Sequence, residues 1–140
     1  MRVAIVYESD TGTTRAAAEQ MAETVRAAGH ECTVGSVEAA DPAAVTAADA
    51  VCVGSWTKGL FIVAQHPAQA TMDFIDRLGS LDGKPVAVFT TYKLAIGGTL
   101  KKMAAPLEAH GAKVTGMYKS RGPYAADGFG DWVGALEAGA

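Results

Sequence analysis

Short apolar runs rich in β-forming residues alternate with longer amphipathic runs along the whole chain, and this alternation restricts the fold most. Strands that alternate with helices favour a parallel sheet covered by helices on both faces. The first, third and fourth apolar runs suit buried strands, whereas the second alternates with polar residues and is predicted to lie at an edge. The predicted strands are Arg2–Tyr7, Glu31–Val37, Ala50–Gly54, Pro85–Thr90 and Lys113–Tyr118.

The amphipathic runs predict helices, and several carry the residues expected at helix ends. Gly29 and Gly111 follow helical patterns, where a left-handed residue is favoured. Pro42 and Pro67 are each predicted at a first helical position, which suits the fixed φ of proline. The predicted helical segments are Thr13–Ala28, a short turn after Asp41-Pro42, Pro67–Leu78, Gly97–His110 and a last helix near Asp131–Ala138.

Length and charge narrow the functional classes. The 140 residues predict a single α/β domain spanning residues 1–140, with no repeat or linker. A net charge of -3 indicates no special affinity for nucleic acid or an anionic membrane. The apolar run before Glu8 is too short for a signal peptide or a membrane span, so a cytoplasmic location is expected.

The two cysteines predict no redox or metal chemistry. Cys32 and Cys52 lie in separate apolar stretches, with no Cys-x-x-Cys pair and no clustered histidines. We therefore predict no metal site, and we interpret both thiols as small buried apolar groups.

Hydroxyl groups are concentrated where the first strand meets the first helix. Ser9, Thr11, Thr13 and Thr14 surround Gly12. A helix amino terminus offers unpaired N–H groups and a partial positive charge, which suit a phosphate. Ser9 or Thr11 as a helix cap would explain the same residues, so both interpretations stay open on residue types alone.

The complete motif resembles the phosphate loop of flavodoxins. The matching positions read Ile5-Val6-Tyr7-x-Ser9-x-x-Gly12-x-Thr14-x-x-x-Ala18, with Met21 outside the aliphatics expected there. Resemblance to short-chain flavodoxins implies a doubly wound, three-layer α/β/α fold with a five-stranded parallel sheet of order 2-1-3-4-5. It also implies FMN as cofactor. Its phosphate would be held by Ser9, Thr11, Gly12, Thr13 and Thr14, and Asp10 is counted with them as a cofactor-binding residue of the same loop.

Two further loops resemble flavodoxin loops that contact the flavin ring. After the third strand, Ser55, Trp56 and Thr57 follow Gly54, and Trp56 resembles the residue that stacks on one flavin face. After the fourth strand, the resemblance places Leu94 where an aromatic ring is usual, which is a departure from the family. The predicted contacts in this loop are Thr90, Thr91, Tyr92, Lys93 and Leu94. Tyr92 also suits a strand-end residue whose ring lies on the sheet.

Charge is a second departure, because flavodoxins are usually strongly acidic. Between Gly83 and Ala126 the only acidic residue is Glu108. A separate acid, Asp10, lies in the predicted phosphate loop. Cations near a flavin would make its hydroquinone couple less negative, and they favour a partner that is acidic at the contact. The bases of this window are Lys84, Lys93, Lys101, Lys102, Lys113, Lys119 and Arg121.

The resemblance predicts an FMN-binding, low-potential one-electron carrier that exchanges electrons with redox partner proteins. No side chain is predicted to be catalytic, because a flavin supplies the redox chemistry itself. One alternative is a flavin-dependent oxidoreductase on the same fold, similar to a quinone reductase or a protoporphyrinogen oxidase. Its substrate wall would be the apolar stretch Gly59–Ala64. A second alternative is an interaction module without flavin.

Overall fold

A computed structural model describes residues 1–9, 12–60, 63–93 and 96–138. Five strands form a parallel sheet in the order β2-β1-β3-β5-β6, and β4 pairs antiparallel with β3 off this path. The predicted 2-1-3-4-5 order of the parallel strands is therefore confirmed. The strands are β1 (Arg2–Tyr7), β2 (Glu31–Ser36), β3 (Ala50–Leu60), β4 (Val63–Pro67), β5 (Pro85–Thr91) and β6 (Lys113–Ser120).

The helices cover both faces of the sheet, because side chains along each central strand alternate between the two faces. On one face Ile5, Cys52 and Phe89 pack with α1 and α5, while Val6 and Val53 pack on the other face with α2, α3 and α4. The helices are α1 (Thr13–Ala27), α2 (Pro42–Ala47), α3 (Gln69–Asp76), α4 (Thr99–Ala109) and α5 (Phe129–Ala138).

Three details of the sequence prediction are confirmed. β2 is an edge strand. Gly29 and Gly111 both have φ near +90°, which glycine adopts without a steric penalty. Pro42 begins α2, with Asp41 as its cap: the Asp41 Oδ1 accepts the Ala43 N–H at 3.1 Å.

The region after β3 differs from the prediction. The strand does not end at Gly54 but continues to Leu60 and turns back as β4. Pro67 ends β4 opposite Thr57, so its predicted place at the start of a helix is wrong. A proline tolerates this position because it has no N–H to donate to a ladder. Helix α3 begins at Gln69 instead.

Both cysteines are free thiols. Cys52 is fully buried, and Cys32 is half-buried against the same cluster. Burial raises the pKa of Cys32 to about 11 and the pKa of Cys52 well above its ordinary value. Neither thiol is therefore an activated nucleophile near neutral pH.

Candidate functional site

The loop between β1 and α1 places hydrogen-bond donors beyond the carboxyl end of a central strand. The Gly12 N–H donates to the Ser9 hydroxyl at 2.9 Å, and Gly12 has a φ of +89°. Helix α1 begins at Thr13, so the N–H groups of its first turn point out of the helix end. There is no acidic side chain in that first turn. These donors suit a phosphate, and Ser9 contributes by ordering the loop.

Arg15 is held along the helix. Its Nε donates to the Glu19 carboxylate at 3.1 Å. That hydrogen bond, with the charge of Glu19, raises the pKa of the guanidinium. Asp10 and Thr11 lie outside the described residues.

Thr14 and Thr91 connect the first loop to the end of β5. Their hydroxyl oxygens are 2.6 Å apart, and both residues are buried. Thr14 was predicted to hold the phosphate directly. In the structure its hydroxyl joins α1 to the end of β5. This contact places the first turn of the helix beside the loop that follows β5.

The register of the sheet brings the three predicted loops together at Thr91. Trp56 pairs with Thr91 on one side, and Ser120 pairs with it on the other. The next N–H along the chain, that of Tyr92, donates to the Ser120 carbonyl at 3.1 Å. The carboxyl ends of β1, β5 and β6 therefore lie at the same end of the parallel sheet, beside the Gly54–Trp56 part of β3.

Three hydroxyl groups around Trp56 bond within the protein. The Ser55 hydroxyl donates to the Trp56 carbonyl and accepts the Ala68 N–H, both at 2.8 Å. Thr90 donates to the Ser55 carbonyl at 2.8 Å, and its oxygen is 2.7 Å from that of Thr57. These bonds fix the backbone on each side of the half-buried Trp56.

Tyr92 lies just past β5 with its ring beside two cations. The Lys119 Nζ is 5.8 Å and the Arg121 Cζ 5.4 Å from the ring centroid. The Arg121 Nε also donates to the Tyr92 hydroxyl at 3.3 Å. Lys93 is exposed beside this group. Leu94 lies outside the described residues, as do the side chains of the predicted substrate wall.

Sequence reasoning missed two buried threonines near these loops. Thr71 donates to the Gly54 carbonyl at 3.5 Å. Thr99, at the first position of α4, is fully buried, and its hydroxyl has no hydrogen-bond partner among the described residues. A Thr inside an apolar helical pattern was the available signal for both.

One cleft among the described residues lies away from these loops. It measures about 490 Å³ and is located between α2 and the strands β1 and β2. Its walls are mainly Ala and Val, with Arg2, Glu31 and Asp41 among its polar residues. None of the predicted site residues lines this cleft. The candidate functional site is therefore the region around Thr91, and not this cleft.

The profile of the Flavodoxin family matches residues 5–126. The chain belongs to the flavodoxin family. Proteins of this family bind flavin, usually FMN, and interact with redox partners. The match includes the first loop, Trp56 and the Tyr92 loop.

Similar proteins agree with this assignment. The two-electron reduced flavodoxin of Megasphaera elsdenii superimposes with a TM-score of 0.77 at 25% identity, covering 99% of both chains. Flavodoxin 2 of Bacillus cereus superimposes with a TM-score of 0.77 at 22% identity over 100% of both chains, which supports the fold. A protein of Archaeoglobus fulgidus named NAD(P)H dehydrogenase (quinone) is 29% identical over 169 aligned residues, covering 99% of this chain and 86% of the relative.

In the part of the chain that the structure describes, no helix combines the length and the hydrophobicity needed to cross a bilayer. The cytoplasmic location stays a prediction.

Proposed function

We propose that this flavodoxin-family chain binds FMN and carries single electrons between redox proteins. The observation that supports this most is the convergence of three predicted contact regions at Thr91, where Thr14 comes from the first turn of α1 and Trp56 from β3. A single planar ligand with a phosphate tail would contact all three loops at this edge of the sheet. When bound, FMN supplies the redox chemistry, and the protein binds and orients it.

The first loop would hold the phosphate. The first-turn N–H groups of α1, with the hydroxyls of Thr13 and Thr11, would donate to it, and Ser9 orders Gly12. A hydrogen bond to a charged group contributes about 1.5–3 kcal/mol, so a few such bonds hold a phosphate without a lysine. A carboxylate that faces the phosphate would repel it, so we assign Asp10 no direct contact with the phosphate.

The other two loops would hold the ring. Trp56 presents a flat face, and stacking of two aromatic rings contributes about 0.5–1.5 kcal/mol beyond burial. Ser55, Thr57 and Thr90 fix the backbone around that ring through their hydrogen bonds. Backbone groups of the Thr91–Leu94 segment would contact the polar edge of the flavin, which requires no particular side chain.

Flavin binding is tested by the purified protein and its apoprotein. We expect a yellow protein whose released cofactor is FMN by mass spectrometry. The apoprotein should bind FMN at least about a hundredfold more tightly than riboflavin, which lacks the phosphate.

Thr13→Val should reduce that ratio by about tenfold or more and leave riboflavin affinity unchanged. Thr33→Val, on the exposed edge strand, is the matched control. A colourless protein that binds neither compound would favour the flavin-free module.

A flavin-dependent oxidoreductase is the second candidate, favoured by the similarity to the protein named NAD(P)H dehydrogenase (quinone). The two functions differ in whether a second protein is needed. Steady oxidation of NAD(P)H by a soluble quinone, catalysed by this protein alone, would favour the enzyme. Transfer that requires a separate reductase would favour the carrier.

A further inference from the structure

Cations are concentrated at one corner of the molecule, at the carboxyl ends of β5 and β6. Lys119 pairs with Thr90 in the sheet, Arg121 follows the end of β6, and Lys93 follows the end of β5. All three side chains are exposed. Among the described residues, none of the three forms an ion pair with a carboxylate. Asp127 is an acid beside this corner: its N–H donates to the Lys119 carbonyl at 3.4 Å, and its side chain is exposed.

This corner also presents apolar surface. Met117 is 49% exposed. It lies two positions before Lys119 on β6, so both side chains point to the same side of the strand. The ring of Tyr92 lies under Lys119 and Arg121. We call Tyr92, Lys93, Met117, Lys119 and Arg121 the basic face.

The basic face is held in place before any partner binds. The Ser120 hydroxyl donates to the Gly122 carbonyl at 3.0 Å and accepts the Gly122 N–H at 3.3 Å, which fixes the turn that carries Arg121. Gln20 of α1 holds the rest of this loop: its Nε2 donates to the Pro123 carbonyl at 2.8 Å, and its Oε1 accepts the Ala125 N–H at 3.4 Å. A surface fixed in advance loses less entropy on binding.

Exposed apolar atoms beside charged side chains are typical of a protein interface rather than of a small-anion site. Complementary charge across such an interface steers association and selects the partner. The basic face also adjoins Thr91, where the three loops converge. We propose that the basic face docks a redox partner protein whose contact surface is rimmed by carboxylates. This names the partner class of the carrier proposed above and rests on that function.

Two cytochromes of opposite charge test the proposal as defined probes. The soluble haem domain of cytochrome b5 has carboxylates around its haem edge, and cytochrome c has lysines there. The dissociation constant of each complex is measured at ionic strengths of about 0.01 M and 0.15 M, which differ strongly in screening. We expect tighter binding to cytochrome b5 than to cytochrome c, and weaker binding of cytochrome b5 at the higher ionic strength.

Two substitutions on one strand locate the contact. Lys119→Glu should weaken cytochrome b5 binding roughly tenfold at low ionic strength, because it replaces attraction by repulsion. Lys113→Glu makes the same charge change at an exposed position at the other end of β6, about 20 Å away, and should change binding less than twofold. Met117→Gln, which keeps the length of the side chain, should weaken binding severalfold, because Met117 is exposed on the same side of β6 as Lys119.

Three results would overturn the proposal: no binding of cytochrome b5, equal or tighter binding of cytochrome c, or equal losses from Lys119→Glu and Lys113→Glu. None of these measurements needs electron transfer. If the purified protein binds no flavin, the proposed carrier function is wrong. The cytochrome binding measurements would still show whether the basic face docks an acidic protein surface.

Discussion

The hydroxyl of Thr14 faces the interior of the protein, where it meets Thr91. The two residues are 77 positions apart, and their hydroxyl oxygens are 2.6 Å apart in a buried environment. A neutral hydrogen bond contributes about 1 kcal/mol, but a buried group left without its partner costs about 1–3 kcal/mol. Thr14 is therefore expected to affect stability as well as cofactor binding.

Thr91→Val tests this contact. Valine has nearly the shape of threonine but leaves the Thr14 hydroxyl without this partner. We expect the free energy of unfolding to fall by about 1–3 kcal/mol in urea denaturation. Thr33→Val, at an exposed position of β2, should change it by less than about 0.5 kcal/mol.

A double-mutant cycle separates the hydrogen bond from other effects of the substitution. The double variant Thr14→Val/Thr91→Val should be destabilised by less than the sum of the two single variants, because it leaves neither hydroxyl unpaired. Additive losses would show that the two hydroxyl groups do not depend on each other.

At the scale of the elements, the Phe89 side chain of β5 fills the space beside Gly54 of β3. This glycine pairs with Phe89, whose ring is fully buried. A Cβ added at Gly54 would lie 2.1 Å from the Phe89 Cζ, far inside van der Waals contact. The absence of a side chain at Gly54 is thus required by the packing of the neighbouring strand.

Gly54→Ala should therefore destabilise the sheet. Moving the Phe89 ring in a filled core costs about 1–3 kcal/mol, measured as a lower urea midpoint at an unchanged m-value. Gly35→Ala in β2 is the matched control, because a Cβ there meets no atom within 4 Å. We expect that control to be neutral or to stabilise the protein by up to about 1 kcal/mol. Equal losses in both variants would contradict a role for Phe89.

The parallel strands were predictable because their residue pattern is local. Buried strands such as β1 consist of consecutive apolar residues, and Gly29 marks the end of a helix by its own chemistry. The β3–β4 hairpin was not predictable, because Pro67 suits both a helix start and a strand end. Only its pairing with Thr57, ten residues away, decides between them.

The candidate site was predictable in its backbone and less so in its side chains. The first loop could be located from Ser9, Gly12 and the helix that follows. Hydrogen bonds between distant hydroxyls, such as the one joining Thr14 to Thr91, depend on tertiary packing that no local pattern contains. The same applies to the cations beside Tyr92, although their number was visible in the sequence.

At the scale of the whole molecule, charge is distributed unevenly. The net charge is -3, yet residues 83–126 contain seven bases and one acid. Lys93, Lys119 and Arg121 from this window lie at the edge where the loops converge. Positive charge near a flavin stabilises its anionic reduced form. We therefore expect a hydroquinone couple that is less negative than that of an acidic flavodoxin.

Lys93→Glu measures this effect in the FMN-loaded protein by potentiometric titration. A unit charge about 10 Å from the flavin contributes about 0.4 kcal/mol in a water-like dielectric, or about 20 mV for a one-electron couple. Replacing a positive by a negative charge should therefore lower the hydroquinone potential by about 40 mV at low ionic strength. The shift should shrink as salt screens it. Lys113→Glu, at the far end of β6, should move the potential much less. The prediction is contradicted if the hydroquinone couple is strongly negative and Lys93→Glu does not change it. The flavin would then respond to its buried surroundings alone, and these cations would not set the potential.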